Sequence, residues 1–174
     1  MKPEQSIFLV GPMGVGKTTI GRQLAHLLGY EFIDSDREIE ERTGATIPWI
    51  FDMEGEDGFR RREQAVIDEL TARPATVLAT GGGAVIKPEN RACLKQRGIV
   101  VYLKAELDEL MARTRNDKSR PLLQTDDPRS RLQALLEQRE PWYLEVADIV
   151  FDTQQQNIKS AANALLRQVG ALEK

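Results

Sequence analysis

Residues 11–18, GPMGVGKT, put three glycines, a lysine and a hydroxyl side chain into eight positions, between the apolar run IFLV and a helix-like pattern. That is the G-x-x-x-x-G-K-[ST] spacing in the strand, loop, helix context it requires. Glycines at 11, 14 and 16 let the chain curl so that successive N–H groups point into one anion-sized concavity. The helix that follows adds its unpaired N–H groups and the positive end of its dipole. Lys17 is then expected to reach toward the β and γ phosphates of a nucleoside triphosphate, and the Thr18 hydroxyl to ligate Mg²⁺.

A second group of reactive side chains follows the second apolar run, where the sequence reads Asp34-Ser35-Asp36. In an extended strand, residues two apart share a face, so both carboxylates are expected over the carboxyl edge of a sheet, facing the phosphates. The later strand VVYL is followed by Lys104 and not by an aspartate. Asp34 is therefore the expected water-mediated Mg²⁺ partner, and Asp36 the candidate base or hydroxyl-orienting group. A simpler alternative stays open, because Ser35 and Glu38 fit a capping box in which Asp36 merely favours a helix N-terminus.

Two arginines stand out. Leu132, Leu135, Leu136 and Arg139 follow i, i+3, i+4, i+7, which puts a guanidinium on an inward helix face. Such a charge needs a partner, either an internal carboxylate or a bound anion held bidentately. Arg60 lies in GEDGFRRRE, at the expected start of an amphipathic helix containing Val66, Ile67 and Leu70. Helical geometry lets at most one or two of Arg60, Arg61 and Arg62 face a site, the others being solvated. Gly81-Gly82-Gly83 after TVLAT allow either a plain turn or very close approach of backbone to a ligand.

The elements that must carry these groups follow from alternation. Apolar runs at 7–10, 31–33, 76–79, 99–103 and 149–151 are separated by helix-period segments, the pattern of a parallel sheet covered by helices. The first helix presents Ile20, Leu24, Leu27 and Leu28 and stops at Gly29. Pro88 opens another helix and Gly98 closes it. Between helices expected at 105–114 and 129–139 lies RNDKSRPLLQTDDP, residues 115–128, polar and proline-broken. A loop of that length in a phosphate-binding domain is a candidate lid, and Arg115, Lys118 and Arg120 give it charge that a triphosphate attracts.

The 174 residues, 41% hydrophobic and 29% charged, suit one core and a single domain spanning 1–174. A net charge of -3 argues against a broad nucleic-acid-binding face. The lone Cys93 excludes an internal disulfide and reads as a small packing residue. His26 lies off the apolar stripe of its helix and reads as a surface histidine. Trp49, Trp142 and Tyr143 read as packing residues, with no basic stripe around them for base stacking. No secretory h-region and no 18-residue apolar stretch occur, so a soluble, cytoplasmic protein is expected.

Taken together, GPMGVGKTTIGRQLA, the DSD, EERTG with IPWIF, GEDGFRRRE, ATGGG, RPLL and REPWY make a chain that resembles the shikimate kinase family over essentially its whole length. The resemblance implies an α/β P-loop NTPase fold of nucleoside-monophosphate-kinase type. It would have a five-stranded parallel sheet in the order 2-3-1-4-5 flanked by helices, a substrate-binding region at about 34–62 and a mobile lid at about 113–127. It further implies transfer of the ATP γ-phosphoryl group to the 3-hydroxyl of shikimate, with one Mg²⁺. Oligomeric state stays open in the sequence, but with no coiled-coil repeat or large apolar surface segment a monomer is expected, and charge and apolar pattern lead us to expect no nucleic-acid or membrane partner. By motif correspondence Asp36, Arg60, Gly82 and Arg139 would bind shikimate, and Lys17, Asp36 and Arg120 would be catalytic. Gly14, Val15, Gly16, Lys17, Thr18 and Thr19 would cradle phosphates, with Arg120 above them. Arg113 and Gln156 would approach adenine, and Thr18 and Asp34 would serve the metal.

Overall fold

A computed structural model describes all residues except 116, 118, 119, 154–156 and 173. The expected contributions of Lys118 and Gln156 lie outside the described residues. The chain runs β1 (Ile7–Val10), α1 (Lys17–Leu28), β2 (Glu31–Asp34), α2 (Ser35–Thr43), α3 (Ile47–Leu70), β3 (Thr76–Ala79), α4 (Pro88–Arg97) and β4 (Ile99–Lys104). It continues through α5 (Leu107–Thr114), a 3-10 turn at Pro121–Leu123, α6 (Pro128–Val146), β5 (Ile149–Asp152) and α7 (Ile158–Ala171). The five strands form one sheet, all pairs parallel, in the order β2-β3-β1-β4-β5, as expected. Among the described residues no helix is long and apolar enough to cross a membrane.

Strand composition follows position in the sheet. The inner strands β1, β3 and β4 are apolar almost throughout because helices cover both of their faces. Edge strand β5 alternates buried with exposed residues. Successive side chains of β1 enter opposite halves of the core. Ile7 and Leu9 join Leu24, Leu165 and Val169 on the α1/α7 side, while Phe8 and Val10 join Ile39, Ile67, Leu94 and Tyr143 on the other.

Several local expectations need correction. Leu27 is exposed, so the buried stripe of α1 is Ile20, Leu24 and Ala25. Trp49 is exposed as well and packs into no core. The helix expected at 105–114 begins at Leu107, because Glu106 stays extended as its N-cap. The one expected at 129–139 runs on through Pro141 to Val146, carried by the buried Tyr143 and Val146 beyond the proline. The helical stretch α3 starts earlier, at Ile47, but it is broken at Gly55 (φ 72°, ψ 177°), a conformation accessible mainly to glycine, so GEDGFRRRE does begin the amphipathic helix that follows the break, with Arg60 in its first turns. That break redirects the second half of α3, so that Arg60 and Glu63 turn inward with Val66, Ile67 and Leu70.

Gly98 does end α4, but not as a left-handed cap, since its backbone is extended (φ −174°). Its reason is close approach. A Cβ there would stand 2.6 Å from the Ser6 carbonyl oxygen and 2.7 Å from the Phe8 ring, and the same carbonyl accepts the Ile99 N–H that begins the β1/β4 pairing. Gly98→Ala is therefore expected to destabilise the fold by about 1–3 kcal/mol. Urea unfolding would register this as a lower midpoint at constant slope. An unchanged midpoint would contradict the close approach.

Candidate active site

The site lies at the carboxyl ends of β1, β2 and β3. β1 leads into the glycine-rich loop, whose Gly14 (φ 83°) and Gly16 (φ 101°) take left-handed backbone conformations. Close packing adds to the restriction at Gly14, where a Cβ would lie 2.7 Å from Thr114 Cγ2 of α5. Lys17, the first residue of α1, is buried, and its Nζ donates to the carbonyl oxygens of Gly11 at 2.6 Å and Pro12 at 2.7 Å. Burial, aided by Arg120, lowers its pKa to about 7, while Asp36 and Asp34 pull the other way. An incoming anion would favour the ammonium form. Arg113 of α5 donates to the carbonyls of Gly14 (3.2 Å) and Val15 (2.9 Å) and pairs with Glu109, so it sits on the back of the loop. Thr19 is exposed.

The DSD segment is built differently from the expectation. The strand ends at Asp34, and Asp36 belongs to the first turn of α2, so the two carboxylates are not strand neighbours on one face. Nor is Ser35 the cap. Asp34 caps α2, its Oδ1 accepting from the N–H groups of Asp36 (3.0 Å) and Arg37 (3.2 Å). Its Oδ2 accepts from the Thr18 hydroxyl at 2.7 Å. Ser35 is fully buried, and its Oγ accepts from the Gly81 N–H at 3.0 Å, tying the glycine triplet to this junction. Thr18 and Asp34 thus present hard oxygen donors side by side, with no cluster of three or more metal-binding side chains among the described residues. That fits Mg²⁺, which is commonly held by one or two protein oxygens, waters and substrate phosphates.

Asp36 faces Arg120, whose Nη1 stands 3.4 Å from Oδ2, while its Oδ1 is buried without a hydrogen bond. Burial, with Glu63 and Asp34 close by, pushes the Asp36 carboxyl up to about 7 against the opposing pull of Arg120 and Lys17. On α3, buried Arg60 and Glu63 pair at 2.9 Å, and the guanidinium also lies 5.1 Å over the Phe59 ring. Burial raises the Glu63 carboxyl in turn. Arg139 of α6 is 3% exposed, and no carboxylate among the described residues lies within ion-pair distance of it. Its Nε is buried and unpartnered, and burial lowers the guanidinium from its ordinary value. Of the two partners open to Arg139 from sequence, an internal carboxylate paired with it is not found among the described residues, although Glu63 and Glu56 lie near enough to act on its charge.

These groups share one pocket, lined by Asp36, Arg60, Glu63, the glycine triplet, Arg120 and Arg139. Met13, Ile47, Phe51, Phe59, Pro121 and Leu122 supply its apolar walls. An adjoining cleft holds Lys17, Thr18 and Asp34, and Asp36, Arg120, Gly81 and Gly82 line both. The glycines are small because charged side chains press on them. A Cβ at Gly81 would lie 2.5 Å from Asp36 Oδ1, and one at Gly83 would lie 2.4 Å from an Arg60 nitrogen.

The structure therefore brings together Lys17, Thr18, Asp34, Asp36, Arg60, Gly82, Arg120 and Arg139. Arg115 is exposed and lines neither pocket. Gly81 and Gly83 belong to the triplet for which close approach to a ligand was one expectation, whereas Glu63 was given no role of its own from sequence. Glu63 carried a signal all the same, since it precedes Val66, Ile67 and Leu70 by helical spacing and so lies on their inward face. His26 is exposed and Cys93 half-buried on α4, both away from the site.

The family model for shikimate kinase matches residues 13–170. The shikimate kinase of Halorhodospira halophila is 61% identical over 160 residues, covering 92% of this chain and 90% of that protein. The shikimate kinase of Psychromonas ingrahamii is 58% identical over 166 residues, 95% of this chain and 97% of the relative. A shikimate kinase structure from Acinetobacter baumannii, in complex with shikimate, superposes with a TM-score of 0.94 at 54% identity, covering 97% and 96% of the two chains. A gluconokinase from Sinorhizobium meliloti, 20% identical with a TM-score of 0.58, shares the fold alone. The charged pocket beside the phosphate loop and these matches lead to one conclusion: the chain belongs to the shikimate kinase family.

Proposed function

We propose that this chain transfers the γ-phosphoryl group of ATP to the 3-hydroxyl of shikimate, giving shikimate 3-phosphate and ADP in aromatic amino acid biosynthesis. The observation that carries the reading is the buried Arg139 without a carboxylate partner, beside Arg60 and next to Asp36. Two guanidiniums in one pocket call for an anionic acceptor, and a carboxylate fits their planar donor geometry. Asp36, at the boundary with the phosphate cleft, would then meet a hydroxyl at the far end of the same small molecule.

In-line transfer needs positioning and charge compensation more than covalent chemistry. The acceptor oxygen forms a bond to the γ phosphorus as the bond from phosphorus to the β-bridging oxygen breaks, and the hydroxyl proton passes to the Asp36 carboxylate. A carboxyl held near neutrality is better matched to that proton than an ordinary aspartate. Lys17 and Arg120 would offset the charge on the transferring group. Residues 14–19 would hold the phosphates, and Arg113 would lie toward the base. Thr18 directly, and Asp34 through water, would hold Mg²⁺, which would supply charge neutralisation to the phosphates. A monomeric, cytoplasmic single-domain enzyme completes the reading.

The deciding experiment is ADP release from Mg-ATP with shikimate, quinate, gluconate or no acceptor. Turnover dependent on shikimate is expected, and turnover with gluconate instead would overturn the reading. Asp36→Asn is expected to lose about 10²- to 10⁴-fold in kcat while still binding nucleotide by calorimetry; near-normal turnover would remove Asp36 from its role. At saturating Mg-ATP, kcat/KM for shikimate should fall on the acid side with a midpoint near neutrality, because protonation of Asp36 removes the acceptor for the hydroxyl proton. An acid limb centred near the ordinary aspartate value of about 4 would contradict the raised pKa.

A further inference from the structure

Tyr143 is a buried hydroxyl that the transfer chemistry leaves without a role. It lies one helical turn after Arg139 on α6, 1% exposed. Its ring stacks on Tyr102 at 5.0 Å between centroids, and its hydroxyl donates to the Gly82 carbonyl at 2.6 Å. The Arg139 guanidinium lies one turn earlier on the same helix, near enough for the two groups to act on each other electrostatically. Arg139 Nη1 in turn stands 3.5 Å from the point where a Gly82 Cβ would sit, so hydroxyl, guanidinium and glycine meet at one place.

The Gly82 carbonyl belongs to the peptide that continues into Gly83, and Arg60 packs directly against Gly83. Fixing that peptide therefore fixes the surface on which the second guanidinium rests. A single phenol oxygen thus holds the peptide on which Arg60 is mounted, with the Arg139 guanidinium beside the same glycine. Tyr102 offers an internal comparison: its hydroxyl donates to Glu140 of the same helix at 2.7 Å and reaches neither guanidinium.

We infer that Tyr143 is a positioning residue for acceptor recognition, its hydroxyl holding Arg139 and the Gly82–Gly83 peptide so that both guanidiniums meet one carboxylate. The inference rests on the shikimate reading above. Its consequence is confined to the carboxylate end of the acceptor, away from the transferring phosphoryl group.

The test compares wild-type, Tyr143→Phe and Tyr102→Phe with shikimate and with its uncharged methyl ester as acceptors. Phenylalanine keeps the ring stack in both variants. For Tyr143→Phe the KM for shikimate should rise about tenfold, the loss expected for a hydrogen bond involving a charged group, with kcat within about twofold and the KM for ATP unchanged. The preference for shikimate over the ester, as a ratio of kcat/KM values, should fall by the same factor. That ratio does not depend on the active fraction, so a poorly folded preparation still reports it. Tyr102→Phe should leave it unchanged. An undiminished preference in Tyr143→Phe overturns the inference alone, as does an equal loss in Tyr102→Phe, which would mark a general loosening of α6. A wild-type protein with no shikimate-dependent turnover overturns the shikimate reading and the inference with it.

Discussion

The carboxylate of Asp34 is the joint on which both halves of the site hang. One oxygen ends β2 and starts α2 by accepting two backbone N–H groups, and the other receives the hydroxyl of Thr18. Through the first contact it sets where Asp36 stands, one residue into the helix. Through the second it holds the start of α1, and hence the loop that wraps a triphosphate. The neighbouring Ser35 extends the joint to the glycine triplet through the Gly81 amide. Two adjacent side chains, Asp34 and Ser35, thereby tie the phosphate loop, the start of α2 and the glycine triplet together by hydrogen bonds.

Around that joint the protein keeps charge where water is scarce. Lys17 leans on two carbonyls, Arg60 on Glu63, and Arg139 on no ion pair among the described residues. Burying such groups is unfavourable unless they are paired, and the fold sustains them with the apolar walls and the parallel sheet beneath. The opposing shifts of Lys17 and Asp36, both to about 7, are the electrostatic record of the same arrangement. Lys17 would move back toward its ionised state when a triphosphate supplies the missing anion.

Much of this was legible in the residues themselves. The glycine spacing of the phosphate loop, the alternation of apolar runs and the inward place of Arg139 depend on local periodicity, which a sequence displays directly. The DSD segment was misread because two local solutions compete there, a capping box on Ser35 or a cap by Asp34. The choice is made by the Thr18 hydroxyl, sixteen residues away in the chain. Gly98 was placed correctly for the wrong reason, since its constraint comes from Ser6 and Phe8 on a neighbouring strand. Glu63 hid inside a run of charges whose inward member depends on the break at Gly55. In the glycine triplet the demand for small residues is imposed by Asp36 and Arg60, which reach it from two other elements.

Pro121 and Leu122, which wall the acceptor pocket, follow Arg120 directly in the chain. Roof and cation are therefore a single piece of machinery. The wall of the acceptor pocket and the cation that faces Asp36 are thus joined through consecutive peptide bonds.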